Sequence, residues 1–151
     1  MTRRILLALV SAMALTHAAC GGDNTTTKHG DNMKIRLTIG NRALTATLID
    51  SKTAQDFGSL LPLTLTMNDL FGREKFAHLP RAISTEGKRT HTYEVGEIAY
   101  WSPGPDIAIF YRNDGEKIPN PGIIVIGKSD SGVDAFNVPG SVKVKIELMH
   151  E

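Results

Sequence analysis

Pro62-Leu-Thr-Leu-Thr-Met-Asn-Asp-Leu-Phe-Gly-Arg-Glu-Lys-Phe-Ala-His-Leu-Pro80 decides the architecture of this 151-residue chain. Apolar and polar residues alternate through Leu63, Leu65 and Met67. The chain then turns over Asp69 to Gly72 and runs back through Glu74, Phe76 and His78. Period two, a glycine-containing turn and period two again predict a β-hairpin. An interior hairpin of this kind points to an all-β fold.

The same patterns extend on both sides. Upstream, Ile35, Leu37 and Ile39 alternate with Lys34, Arg36 and Thr38, Gly40-Asn41 supplies a tight turn, and Leu44 to Ile49 returns as a second strand. Asp50 or Ser51 then caps a helix carrying Ala54, Phe57, Leu60 and Leu61, which Pro62 ends. Downstream, residues 84–94 are polar and aperiodic and are expected to form a loop. Strands are predicted over Glu97 to Trp101, Ile107 to Tyr111, Ile123 to Ile126 and Val142 to Leu148, with a short helical turn at Val133 to Phe136. Eight short antiparallel strands must either sandwich or close, and closure removes exposed edges. The expectation is a closed barrel of about eight mainly antiparallel strands with one or two short helices, spanning 33–151.

The first residues have a different character. Arg3 and Arg4 precede an apolar run from Ile5 to Leu15, too short to span a bilayer, and Ala18-Ala19-Cys20 offers a cleavage zone. Residues 1–19 thus read as an export signal and 20–32, rich in Gly, Asp, Asn and Thr, as a tether. Cys20 is the only cysteine, so no intramolecular disulfide can form. Its place after Ala18-Ala19 resembles a bacterial lipobox, which makes Cys20 the expected lipidation site and a lipid anchor the expected membrane contact. His17 departs from that pattern, and cleavage after Thr16-His17-Ala18 is the alternative, leaving a periplasmic or secreted domain. The chain has 17 basic and 16 acidic residues; losing Arg3 and Arg4 leaves 15 against 16, which gives no electrostatic basis for nucleic-acid binding.

Three further blocks belong with the hairpin: Gly96-Glu97-Ile98-Ala99-Tyr100-Trp101-Ser102-Pro103-Gly104, Ile109-Phe110-Tyr111 and Gly122-Ile123-Ile124-Val125-Ile126-Gly127-Lys128. Together with the order of elements, these blocks resemble the bacterial cyclophilin-like domain family from Met33 to about Met149. The resemblance implies a cyclophilin-type barrel. It does not carry prolyl isomerisation with it, because that activity depends on an arginine beside Phe and His, followed by a Phe-Met-x-Gln pattern. Here the nearest echo is Phe76-Ala77-His78-Leu79, no arginine follows before Arg81, and Gln55 is the only Gln. Such an arginine donates hydrogen bonds to the twisted amide, whose rotation barrier is ~18–20 kcal/mol.

Six of the nine aromatic residues lie between Phe76 and Tyr111. An apolar ligand groove is expected from Met67, Phe76, Tyr100, Trp101 and Tyr111, with Arg81 or Arg112 as polar anchor. In Tyr100-Trp101 and Phe110-Tyr111, neighbours point to opposite faces, and Phe110 is assigned to packing. Asp69 and Glu74 could act as an acid/base pair only if their environments pushed their pKa values apart. The plainer reading has Asp69 satisfying turn backbone and Glu74 pairing with Arg73 or Lys75. His78 and His91 lack companions at ligand spacing, no metal is expected, and no phosphate-binding or cofactor motif is present. The expected function is an exported peptide- or small-ligand-binding module. The alternatives are a divergent prolyl isomerase of the cell envelope and a non-catalytic assembly module docking on an envelope partner.

Overall fold

The computed structural model describes residues 32–150. The predicted signal, Cys20 and nearly all of the tether lie outside them. Ten elements follow the alternation read from the sequence: β1 (Lys34–Ile39), β2 (Arg42–Leu48), α1 (Lys52–Gly58), β3 (Leu63–Leu70), β4 (Glu74–His78), β5 (Arg89–Thr90), β6 (Glu97–Trp101), β7 (Asp106–Phe110), β8 (Ile123–Ser129) and β9 (Val142–Leu148). A 3-10 turn occupies Val133–Phe136. Several predicted bounds shift: the helix expected to carry Leu60 and Leu61 ends at Gly58, and the strand expected over Ile123 to Ile126 runs on to Ser129. The loop expected over 84–94 contains β5, two residues long and therefore without a readable period. The strand expected from Ile107 to Tyr111 begins one residue earlier, at Asp106.

Every pairing is antiparallel, in the order β2-β1-β9-β3-β4-β7-β6-β8, with β2 pairing back onto β8. That last contact closes eight strands into a barrel, and β5 adds to the free length of β8. The pleat sorts residues by face. Ile35, Leu37, Leu48, Met67, Ile98, Tyr100, Ile107, Ile109, Ile126, Val144 and Ile146 fill the interior. Full burial of each large side chain stabilises the fold by about 1.5–3 kcal/mol. The α1 helix covers part of this interior through Ala54 and Phe57, and the Ser51 hydroxyl caps it by accepting the Ala54 N–H at 3.2 Å.

A second apolar layer lies outside the barrel wall, on β4, β7, β6 and β8. Ala99, Ala108, Phe110 and Ile123 form it, covered by Tyr93 and Ile118 from the long loops, and the Tyr93 and Phe110 rings stack at 4.2 Å. The β3–β4 turn has an unusual residue. Phe71 and Gly72 have φ of 55° and 60°, and the Arg73 N–H donates to Leu70 O at 3.2 Å. Hairpin turns with two positive φ values favour Asn-Gly. A phenylalanine in the left-handed region costs about 1–2 kcal/mol.

Candidate functional site

The outer apolar layer contains a dip, and its origin lies in the strand register. Glu74, Phe76 and His78 point outward from β4, opposite Phe110, Ala108 and Asp106 of β7. Trp101 of β6 lies across from Asp106, and Ala99 across from Ala108. Ala108, small and lying beside the rings of Phe76 and Trp101, leaves a hollow in this layer. It measures about 220 Å³. Ala108 and Ile123 line its base, Phe76, Trp101, Ile118 and Pro119 its walls, and Phe71 its rim.

Polar groups border the hollow. Buried Arg73 donates from Nε to Glu74 Oε2 at 3.0 Å, and its Nη1 is 3.6 Å from Asp114 Oδ2. Its guanidinium also lies between the rings of Phe71 and Tyr93, at 5.1 and 5.3 Å. Burial works against the Arg73 charge, but Glu74, with smaller help from Asp114, holds its pKa above the ordinary value. Burial raises the Glu74 carboxyl, and the Arg73 charge offsets part of that rise. Asp106 contributes a buried carboxylate. Its Oδ1 faces the Nδ1 of exposed His78 and no other polar partner among the described residues. Its Oδ2 packs so closely on Gly104 that a Cβ there would stand 1.9 Å away.

Of the residues proposed from the sequence, the hollow brings together Phe76 and Trp101. Met67 and Tyr100 lie in the barrel interior, because the alternation on β3 and β6 turns them inward. Tyr100 accepts the Ile83 N–H there at 3.3 Å. Tyr111 is also interior and donates to Asp69. Arg81 is exposed beside α1, where it donates to Ser59 Oγ, and Arg112 is exposed beside the Gly72 turn. The arginine at the hollow is instead Arg73, for which the sequence predicts only pairing within the hairpin. The β4 alternation was the available signal, since placing Phe76 outward also places Glu74 outward and draws Arg73 to the same rim.

Asp69 and Glu74 do differ in environment, but they occupy opposite faces of the wall. Asp69 accepts from Gly72 N–H at 2.9 Å, from Lys75 Nζ at 2.9 Å and from Tyr111 Oη at 2.5 Å. Hydrogen bonds from Tyr111 and then Lys75 hold its carboxyl below the ordinary value, against the opposing effect of burial. Burial, followed by the bond to Asp69, pushes the Tyr111 phenol up to about 12. The folded-state pKa is thus raised above the ordinary ~10. The resulting stabilisation is complete below pH ~10 and is lost as pH rises toward the folded value. Alkaline denaturation should therefore steepen in that window for the native chain and lose this component in Tyr111→Phe. A Tyr111→Phe profile identical in shape would refute the assignment.

The model of a family described as the Cyclophilin-like family matches residues 37–147. Among solved structures, the chain is similar to the hypothetical protein AF2241 from Archaeoglobus fulgidus, determined in solution. The match has a TM-score of 0.64 at 21% identity and covers 82% of this chain and 99% of that one. At that identity the likeness concerns the fold alone. No curated protein matches the chain.

Proposed function

The chain belongs to the cyclophilin-like family, and from that premise we propose that its outer hollow is a binding site for a ligand presenting an apolar side chain or ring, either a peptide or a small molecule. The observation that supports this most is the pair of half-buried rings, Phe76 and Trp101, held over an alanine base in about 220 Å³. A dry apolar cavity of about 150 Å³ accepts benzene. This hollow suits one large side chain or ring, with Glu74 and Asp106 on its border to orient polar atoms.

Binding without turnover is the reading that Arg73 supports. Its guanidinium is buried, donates through Nε to Glu74 and faces Asp114 through Nη1, so its charge is already paired within the wall. Trp101 is the only tryptophan, so emission excited at the red edge, where tyrosine does not absorb, reports on this site. Titration with a capped proline-containing tetrapeptide, and separately with cyclohexanol, which does not fluoresce, should give a saturable shift in Trp101 emission for at least one probe. In a protease-coupled assay the same peptide should isomerise at the rate seen in buffer. Emission that never saturates with either probe removes the binding reading, and a catalysed isomerisation replaces it with an enzyme. An exported, lipid-anchored setting through Cys20 belongs to the same proposal. Intact mass of the mature N-terminus tests it, and an unacylated Cys20 would leave the domain free of the membrane.

A further inference from the structure

Phe71 is the least economical residue of the fold. It is 71% exposed, while the other exposed large apolar residues, Ile49, Val95 and Val138, stand between 39% and 46%. Its φ of 55° belongs to a region that L side chains rarely adopt. One face of its ring is covered by Arg73, and the hollow opens beside it. An apolar projection thus sits at the edge of an apolar hollow that its own ring lines but does not fill.

We propose that this face pairs with the same face of a second copy of the chain, each Phe71 entering the hollow of the other copy. Three features favour that occupant. The hollow, at about 220 Å³, is large enough for one phenyl ring. Projection and hollow are neighbours on one face, so a two-fold rotation between two copies satisfies both at once and closes, leaving nothing unpaired to continue a chain. Phe71 is also the most exposed large apolar residue among the described residues, and the pairing removes its ring from water. The partner's Phe71 thereby occupies the ligand site. Ligand and partner compete for the same space, a consequence that rests on the binding reading above.

Sedimentation velocity on the chain as its expression host releases it, carrying Cys20→Ser to remove acylation and intermolecular disulfides, tests the pairing. The native sequence should move from one-chain to two-chain sedimentation as concentration rises, with a parallel shift in Trp101 emission. Phe71→Asn, which suits the turn, should remain one chain at concentrations where the native sequence is paired; Phe71→Asp serves as a second variant. A native sequence that stays one chain at every concentration overturns the proposal and leaves the ring for a different protein partner. Pairing undiminished in both variants also overturns it. Because the probe titrations are run separately on dilute protein, loss of pairing and loss of ligand binding are distinguishable.

Discussion

Replacing Lys75 with Met is expected to lower the free energy of unfolding by about 3–5 kcal/mol, the range for breaking a buried charge pair from one side. Lys75 is fully buried on β4. Its ammonium donates to Asp69 Oδ1 at 2.9 Å and to the carbonyls of Val138 and Gly140, both at 2.6 Å. It also lies 5.6 Å from the centre of the Tyr111 ring. All three donors are therefore used, and they tie the segment before β9 to the β3–β4 hairpin. Met has a similar shape but leaves two carbonyls and a carboxylate without their donor. Asp69→Asn should cost less: an amide oxygen at the Oδ1 position still accepts from Lys75 and the Tyr111 hydroxyl, the Gly72 N–H alone loses its acceptor, and the Asp69 side chain is 27% exposed. The check is chemical denaturation: the midpoint should fall for Lys75→Met with an unchanged denaturant slope. A Lys75→Met midpoint within error of the native one would mean that the buried ammonium is not holding the hairpin.

The contrast between Lys75 and Phe76 shows how far the sequence reaches. Period two assigns adjacent residues to opposite faces but does not say which face is inside. Lys75 looks like a solvent residue by chemistry and is interior by register. Phe76 looks interior by chemistry and lines an outer hollow. The same ambiguity turned Tyr100 inward and Trp101 outward, so two of the expected groove rings meet and the others do not. The strands themselves were legible because their periodicity is local, most plainly in Val142, Val144, Ile146 and Leu148. The pairing that makes a groove is not local. Ala108 gains meaning only beside Phe76 and Ala99, and these contacts appear once β4, β6 and β7 are in register. Phe71 stood in plain view as an unusual partner for Gly72 in a hairpin turn, and was read only as part of that turn.

Barrel closure is expected from eight short strands, but the seam at which it happens is not local in the sequence, and Gly127 tests it. The β2–β8 seam pairs Ala46, Thr47 and Leu48 with Ser129, Lys128 and Gly127, and the Ile49 N–H to Ile126 O and Asp130 N–H to Thr45 O bonds, both 2.9 Å, extend it. A Cβ on Gly127 would stand 2.7 Å from Thr47 O and 3.1 Å from Leu48 Cα. Both are backbone atoms, so no side-chain rotation can relieve the clash. The strands must separate, while Asp130 resists by accepting from Thr45 Oγ1 at 2.9 Å, Thr47 Oγ1 at 2.6 Å and Lys34 Nζ at 3.0 Å. Gly127→Ala is expected to cost about 3 kcal/mol, at the upper end for overpacking. Its signature should be local: amide exchange should accelerate first along β2 and β8, before the β3–β4 hairpin is affected. The hollow should respond too, since β8 supplies Ile123 and pairs with the strand that carries Trp101. A shift in Trp101 emission without ligand would register that strain across the wall. Native stability in Gly127→Ala would mean that β2 and β8 do not approach this closely and that the sheet is open at this seam. In that case the outer face would no longer be held in the curvature that shapes the hollow.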